Sequence, residues 1–584
     1  MKKITAILLI AALTLSLLSG CGAKTVKQES AAAPTAKPTA APTAEPEREE
    51  AVPAFAGKEV PEPDLPDRPD GVHAEVDYQD MHWEIYDMTD FNGWAAVLAS
   101  GSVSGEEAER IIDWLTAEYA RLETYGELAW IDFYAGNDPD GTVAESCRIL
   151  DDQLARAADT LCSAISAALS SGAGQELTEY LGEEAAEDLA DYEDMTDREA
   201  ELRSRETELK LEYNELIDRE DLTPRELNRR VGNIFLELIR VRNELAEICG
   251  YESYIDYAYE NVYARDYTPA DAAALCEQIK PYAREYYADC YYCGVFSEPI
   301  GAFSAGDLMD LLETYIPRIS PRAEEARQYM EDHGLYLIES GRIITQIGYT
   351  TTLSLYNAPF LYSALYGNYY DVTGLFHEFG HYYDAYVNPE PEDWESYGSY
   401  DIFEIHSTSM EALLYGWYDE IFGADADKAR IYCLDGLMDN VVSGCIYDEF
   451  LRRAYANPDL TVNGLNRLFL EVAESYGMEL YGTNASYYWM YVSHNFESPF
   501  YYISYAVSAL ASLQVWARAQ TDRQGAIDLY NELVSRGAYN EGYCQLLRSV
   551  GLLLFTDDLD GCIRDAYGEL HRLCLAYDAG ELAA

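Results

Sequence analysis

The stretch that most restricts the fold is Asp371-Val-Thr-Gly-Leu-Phe-His377-Glu378-Phe-Gly-His381-Tyr-Tyr-Asp384. Its two histidines are four residues apart, and on an α-helix that spacing stacks both imidazoles on one face. There they can grip one metal ion while Glu378, about 100° round the helix, reaches a water on that ion. A chain with 8 histidines in 584 residues seldom produces this pattern by chance. A catalytic zinc takes three protein ligands and keeps one position open, so the fold has to bring a second element against this face.

The residues after His381 narrow the choice. A metzincin places Gly three residues after the second histidine and a further ligand three residues later; here those positions hold Asp384 and Val387, which excludes that subclass. Asp384 falls on the metal side of the helix and is read as a carboxylate that accepts an imidazole N–H rather than as a ligand. The third ligand is sought in Asp401-Ile-Phe-Glu404-Ile-His406-Ser407-Thr-Ser-Met-Glu411, a helix-like segment after a loop rich in Pro, Gly and acidic residues. His406 competes with Glu404 for that place. Two residues along a helix amount to about 200°, so both cannot bind one ion.

At the N-terminus, Lys2 and Lys3 precede the apolar run Ile4 to Leu18, which is too short to span a bilayer comfortably. The run ends in Leu18-Ser19-Gly20-Cys21, which resembles a bacterial lipoprotein box, and the resemblance implies cleavage before Cys21 and a lipid on it. Residues 1–20 are therefore expected to be a signal peptide. Residues 21–75, rich in Ala, Pro, Thr and Glu, are expected to be a disordered tether holding the folded part at the outer face of a bacterial cell membrane. The formal charge is −64, from 40 basic and 104 acidic residues, which sets aside nucleic acid and anionic surfaces as partners. The 12 cysteines lack the spacing of a disulfide framework, and Cys290-Tyr-Tyr-Cys293 has no second pair or histidine to complete a metal site.

Helix signals dominate the remainder. Trp83 and Tyr86 belong to a short packed lead-in. Ser104-Gly-Glu-Glu107 fits a capping box, and Thr223-Pro224, Thr268-Pro269 and Ser320-Pro321 each place a cap residue before a proline at the first helical position. The charge-dense span from Glu179 to Glu247, with leucines and isoleucines at helical spacing, predicts long paired helices. After His333 the periodicity changes, and Leu335 to Gly341 and Ile343 to Leu355 read as short strands. Pro359, just beyond, suits a sheet edge, which would either pair with an extended peptide or pack as a hairpin. Residues 76–335 form an N-terminal helical region and 336–584 a catalytic region.

The set His377-Glu378-Phe-Gly380-His381, then Glu404-x-x-Ser407 and Glu411, resembles the oligoendopeptidase F and thimet oligopeptidase family of zinc peptidases, over roughly residues 251 to 510. That resemblance implies Glu404 as the third ligand of one Zn2+. Where the family usually continues to another histidine this chain has Asp384. The run His494-Asn-Phe-Glu-Ser-Pro-Phe500-Tyr501-Tyr502-Ile-Ser-Tyr505 resembles the family's downstream His and Tyr segment, which implies that His494, Tyr505 and either Tyr501 or Tyr502 stabilise the oxyanion. The spacing differs by about one residue, and with 51 tyrosines in the chain many serve only to pack. The expected fold is mostly α, a large helical body with a deep substrate cleft and a small β-sheet near the active site. The expected activity is zinc-dependent endopeptidase cleavage of oligopeptides, with Glu378 as general base. The alternative is a surface lipoprotein that binds peptides around a structural or degenerate metal site.

Overall fold

The computed structural model describes residues 55, 58–69, 71–137, 141–190, 196–217, 219, 221–291, 293–297, 300–340, 348–389, 398–482, 484–539 and 541–582. The signal-peptide and lipid-box readings lie outside these residues. Helices of eleven residues or more are α1 (Thr89–Ala99), α2 (Gly105–Tyr134), α3 (Thr142–Leu169), α4 (Asp197–Ile217), α5 (Pro224–Ile248), α6 (Pro269–Asp289), α7 (Ala305–Tyr315) and α8 (Pro321–Asp332), then α9 (Tyr369–Val387), α10 (Tyr400–Leu414), α11 (Ala426–Tyr455), α12 (Val462–Ser475), α13 (Tyr502–Thr521), α14 (Arg523–Arg536) and α15 (Asp560–Asp578). Strands β1 (Tyr336–Ser340), β2 (Gly348–Leu353) and β3 (Ala358–Leu365) lie between α8 and α9. The protein is mostly α with one small sheet, as expected. No helix of the described residues is long and apolar enough to cross a membrane.

The caps act where the sequence places them. Ser104 Oγ accepts from Glu107 N at 3.3 Å to open α2, and full capping boxes at Thr223 with Glu226 and Thr268 with Asp271 open α5 and α6. Each satisfies backbone donors that the first turn leaves unpaired. The paired helices expected between Glu179 and Glu247 are α4 and α5, which pack along one another.

Two cores form. The smaller is built by α1, α2 and α3 around Phe91, Trp94, Ile111, Leu115, Leu154 and Ile165. The larger takes in the sheet and every later long helix. At its centre α13 lies between α10 and α11. Its buried serines and alanines, Ser504, Ala506, Ser508, Ala509, Ala511 and Ser512, leave room for that close approach. Gly444 on α11 needs it, since a Cβ there would meet the carbonyl oxygen of Tyr502 at 2.5 Å.

The sheet order is β1-β3-β2, with β1 parallel and β2 antiparallel to β3. Here the structure corrects the sequence reading. Pro359 lies in β3, the central strand, opposite Thr352 of β2, not on an edge. The position tolerates proline because the β1 ladder begins only at Leu361 and does not require an N–H from residue 359. The edges are β1 and β2.

The tether also stops short of residue 75. Val60, His73 and Ala74 are buried. Ala74 N donates to Tyr356 O at 3.0 Å, and the His73 ring nitrogens face the carbonyl oxygens of Asn357 at 2.7 Å and Tyr386 at 2.9 Å. A polar, proline-rich stretch can pack in this way because its backbone groups are paired with the body rather than with a core of its own. The lead-in is anchored too, with Trp83 Nε1 donating to Asp132 at 2.7 Å and Tyr86 OH to Glu118 at 2.7 Å.

Candidate metal centre

Helix α9 starts at a full capping box, Asn368 with Asp371, and Asp371 also accepts from the amides of Tyr366 and Gly367. The fixed start sets the phase of the helix, so that His377 and His381 share a face with ring centroids 5.0 Å apart. Gly380, between them in sequence, lies where α10 crosses: a Cβ there would be 2.7 Å from Ser407 Cα and 2.9 Å from His406 O. That crossing brings Glu404 to the histidine pair. Its Oε2 is 3.6 Å from His377 Nε2 and 4.0 Å from His381 Nε2.

The three donor atoms all lie within 4.8 Å of one another and could hold one metal ion. Two imidazole nitrogens and a carboxylate oxygen are a donor set that suits zinc, whose tetrahedral ligands at about 2.1 Å from the ion stand about 3.4 Å apart. Burial and the neighbouring charge of His377 push the His381 pKa well below the usual value, which keeps its nitrogen lone pair available. Burial raises the Glu404 pKa, opposed by His377 and by hydrogen bonds from Tyr501 and Ser407. Tyr501 OH donates to Glu404 Oε1 at 2.9 Å, and Ser407 Oγ lies 3.3 Å from Oε2.

Glu378 faces β2. Thr350 Oγ1 lies 2.9 Å from its carbonyl oxygen and 3.1 Å from its Oε2, and Gly348 leaves room for its side chain, since a Cβ there would be 2.9 Å from Glu378 Cγ. Burial lifts its pKa to about 7, against the pull of His377 and Thr350.

His494, Tyr501, Tyr502 and Tyr505 form one aromatic group. The His494 ring centroid is 5.4, 5.1 and 6.0 Å from those of the three tyrosines in that order. Tyr501 is the tyrosine whose hydroxyl reaches Glu404, whereas the Tyr502 ring packs on Tyr447 at 5.0 Å. The aromatic group thus meets the candidate ligand set through the Tyr501 hydroxyl on Glu404.

Two details differ from the sequence reading. Asp384 does not accept from either histidine of the pair; its Oδ1 lies 3.1 Å from Nδ1 of the fully buried His406 and accepts from Asn388 Nδ2 at 2.8 Å. This also shows where the rival ligand His406 went. The carboxylate that meets His377 is Glu411, whose Oε1 is 2.7 Å from Nδ1. Glu411 follows Glu404 by seven residues, two turns along the same face, and that spacing was available in the sequence. Thr350 carried no such signal, because it reaches Glu378 from a strand. Cys290 and Cys293 are buried thiols beside Cys574, and none of them joins the metal centre.

No family profile and no curated protein matches the chain. Solved structures do. PZ peptidase A, solved with an inhibitor, superposes with a TM-score of 0.69 at 21% identity, over 85% of this chain and 99% of that one. A protein assigned as an oligoendopeptidase F from Bacillus anthracis strain Ames gives 0.68 at 22% identity, over 87% and 99%. Metallocarboxypeptidase 1 of Trypanosoma cruzi gives 0.52 at 14% identity, over 80% and 99%. Over most of its length the chain has the fold of the oligoendopeptidase F and PZ peptidase structures.

Proposed function

We propose that the chain is a zinc-dependent endopeptidase that hydrolyses oligopeptides outside the cytoplasm, anchored by a lipid on Cys21 to the outer face of a bacterial cell membrane. The observation that carries the zinc-peptidase part of this reading is the convergence of His377, His381 and Glu404 with a buried Glu378 beside them, while the anchor rests on the Lys2-Lys3 and Leu18-Ser19-Gly20-Cys21 sequence alone. A purely structural zinc site has no need of such a carboxylate. The names of the solved structures that share the fold support a peptide substrate.

Zinc held by His377, His381 and Glu404 would polarise the scissile carbonyl and lower the pKa of the attacking water. Glu378 would take a proton from the attacking water and return it to the leaving amine. His494 and Tyr505 supply donors toward the oxyanion. Tyr501, with its hydroxyl on Glu404 Oε1, keeps that carboxylate oriented.

Glu378→Gln tests the reading. The variant should retain zinc by metal analysis and lose about 10²- to 10⁴-fold in turnover of quenched oligopeptides. Substrates blocked at both termini should be cut by the wild type and spared once zinc is chelated. Wild-type turnover by Glu378→Gln would remove Glu378 from its role, and cleavage confined to free C-termini would make the enzyme a carboxypeptidase.

A further inference from the structure

The segment that carries His494 and Tyr501 is held from behind by side chains that precede the sheet in sequence. Arg242 Nη2 donates to the carbonyl of Phe496. Tyr263 OH donates to Pro499 O at 3.0 Å, and Arg265 Nη2 donates to Phe500 O and Ser504 Oγ, each at 2.9 Å. Arg265 differs from the other two because it also reaches the ligand helix. Its Nε lies 3.6 Å from Oδ2 of Asp401, which is on α10 about one turn before Glu404. The guanidinium is fully buried and lies over the rings of Tyr259 and Tyr263, 4.5 and 4.4 Å from their centroids.

The backbone on both sides of this contact is strained. The chain leaves a π-helical turn at Ala258–Val262, passes Ala264 at φ +46°, and then turns Arg265 inward. Phe500, immediately before Tyr501, has φ +72°. Such conformations are costly for non-glycine residues and persist where the surroundings over-determine them. Among the described residues only Asn357 also departs in this way without being glycine, so two of the three cases meet at one guanidinium.

We propose that Arg265 is a positioning residue that clamps the Phe500 turn to Asp401, so that the Tyr501 hydroxyl stays on Glu404 Oε1 and Glu404 presents Oε2 to the histidine pair. This rests on the reading of His377, His381 and Glu404 as a zinc site. The planar guanidinium hydrogen-bonds Phe500 O and Ser504 Oγ through Nη2 while its Nε edge faces Asp401 as an ion pair, whereas a lysine ammonium is a single point charge.

The test is a double-mutant cycle on zinc affinity, read by competition with a chromophoric chelator, using the wild type, Arg265→Lys, Tyr501→Phe and both changes together. Each single change should weaken zinc binding about tenfold, as loss of a partner that orients a ligand does. The double variant should be no weaker than the weaker single, because both act through one contact. Peptide assays on the same proteins should show the loss in kcat with KM within about twofold. Wild-type zinc affinity in Arg265→Lys, or losses that multiply toward a hundredfold, would overturn the proposal. Should Arg265→Lys fold poorly, Ser504→Ala removes one acceptor of the same Nη2 and should give a smaller loss that is likewise absent on a Tyr501→Phe background. A metal-free crystal structure of Arg265→Lys separates this idea from the zinc reading. If the wild type binds no zinc, the zinc reading fails; if Tyr501 keeps its hydrogen bond to Glu404 in the variant, the clamp fails whatever the protein binds.

Discussion

At the scale of single residues the site turns on which carboxylate each imidazole meets. A ligating histidine whose second nitrogen is held by an acceptor is fixed in tautomer and direction. Here Glu411 Oε1 meets Nδ1 of His377, one of the candidate ligands, and the Asp384 carboxylate lies against His406 instead. Substitutions should separate the two. Glu411→Ala should weaken zinc binding about 10- to 100-fold with little effect on unfolding. Asp384→Asn should leave zinc affinity within about twofold and lower stability by about 1–3 kcal/mol, because a buried contact of His406 is lost. Chelator competition and denaturant unfolding on both variants decide it, and equal zinc losses would return Asp384 to the site. The sequence reading gave the imidazole N–H to Asp384 and no role to Glu411. Asp384 lies on the helix of the histidines, and only the crossing of α9 and α10 shows that it points past them to His406.

At the scale of elements, the capped helix starts were legible because a cap is written within four residues. The central strand was not, since Pro359 mimics an edge signal and its tolerance depends on where a second strand begins. Arg265 was also illegible, because its partners Asp401, Phe500 and Ser504 lie far along the chain. The crossing of α9 and α10 shows how one helix carries opposite requirements. A Cβ at Gly380 would meet the α10 backbone, whereas at Gly374 nothing lies within 4 Å. Gly380→Ala should destabilise by about 1–3 kcal/mol and loosen zinc by moving Glu404. Gly374→Ala should stabilise by about 0.5–1 kcal/mol through helix propensity alone. Urea unfolding of both would expose an error if the two shifts had the same sign.

At the scale of the whole molecule, the small core of α1 to α3 joins the larger core mainly along α2. Leu122 and Ala129 of α2 belong to the small core, Leu128, Ile131 and Tyr134 to the large one. The joint with the sheet is polar: Ser354 Oγ donates to Glu123 at 2.5 Å, and Leu355 N to Thr124 Oγ1 at 2.9 Å. Glu127 sits in it, bonded by Thr351, with Oε2 buried and without a hydrogen-bond partner. Burial lifts its pKa from 4.5 to about 8. The sign of the resulting pH dependence follows from proton counts. Below pH 4.5 both folded and unfolded chains hold the proton, and there is no effect. Between 4.5 and 8 the unfolded chain has released it and the folded one has not, so this group makes stability fall with rising pH by up to about 1.4 kcal/mol per unit. Above 8 both are ionised and the penalty is constant. Glu127→Gln, which keeps the shape of the protonated acid without a charge to lose, should match the wild type near pH 4.5. Its advantage should widen up to pH 8 and then level off. Urea denaturation at pH 5, 6.5, 8 and 9 measures this, and an advantage independent of pH would show that Glu127 ionises freely in the folded joint.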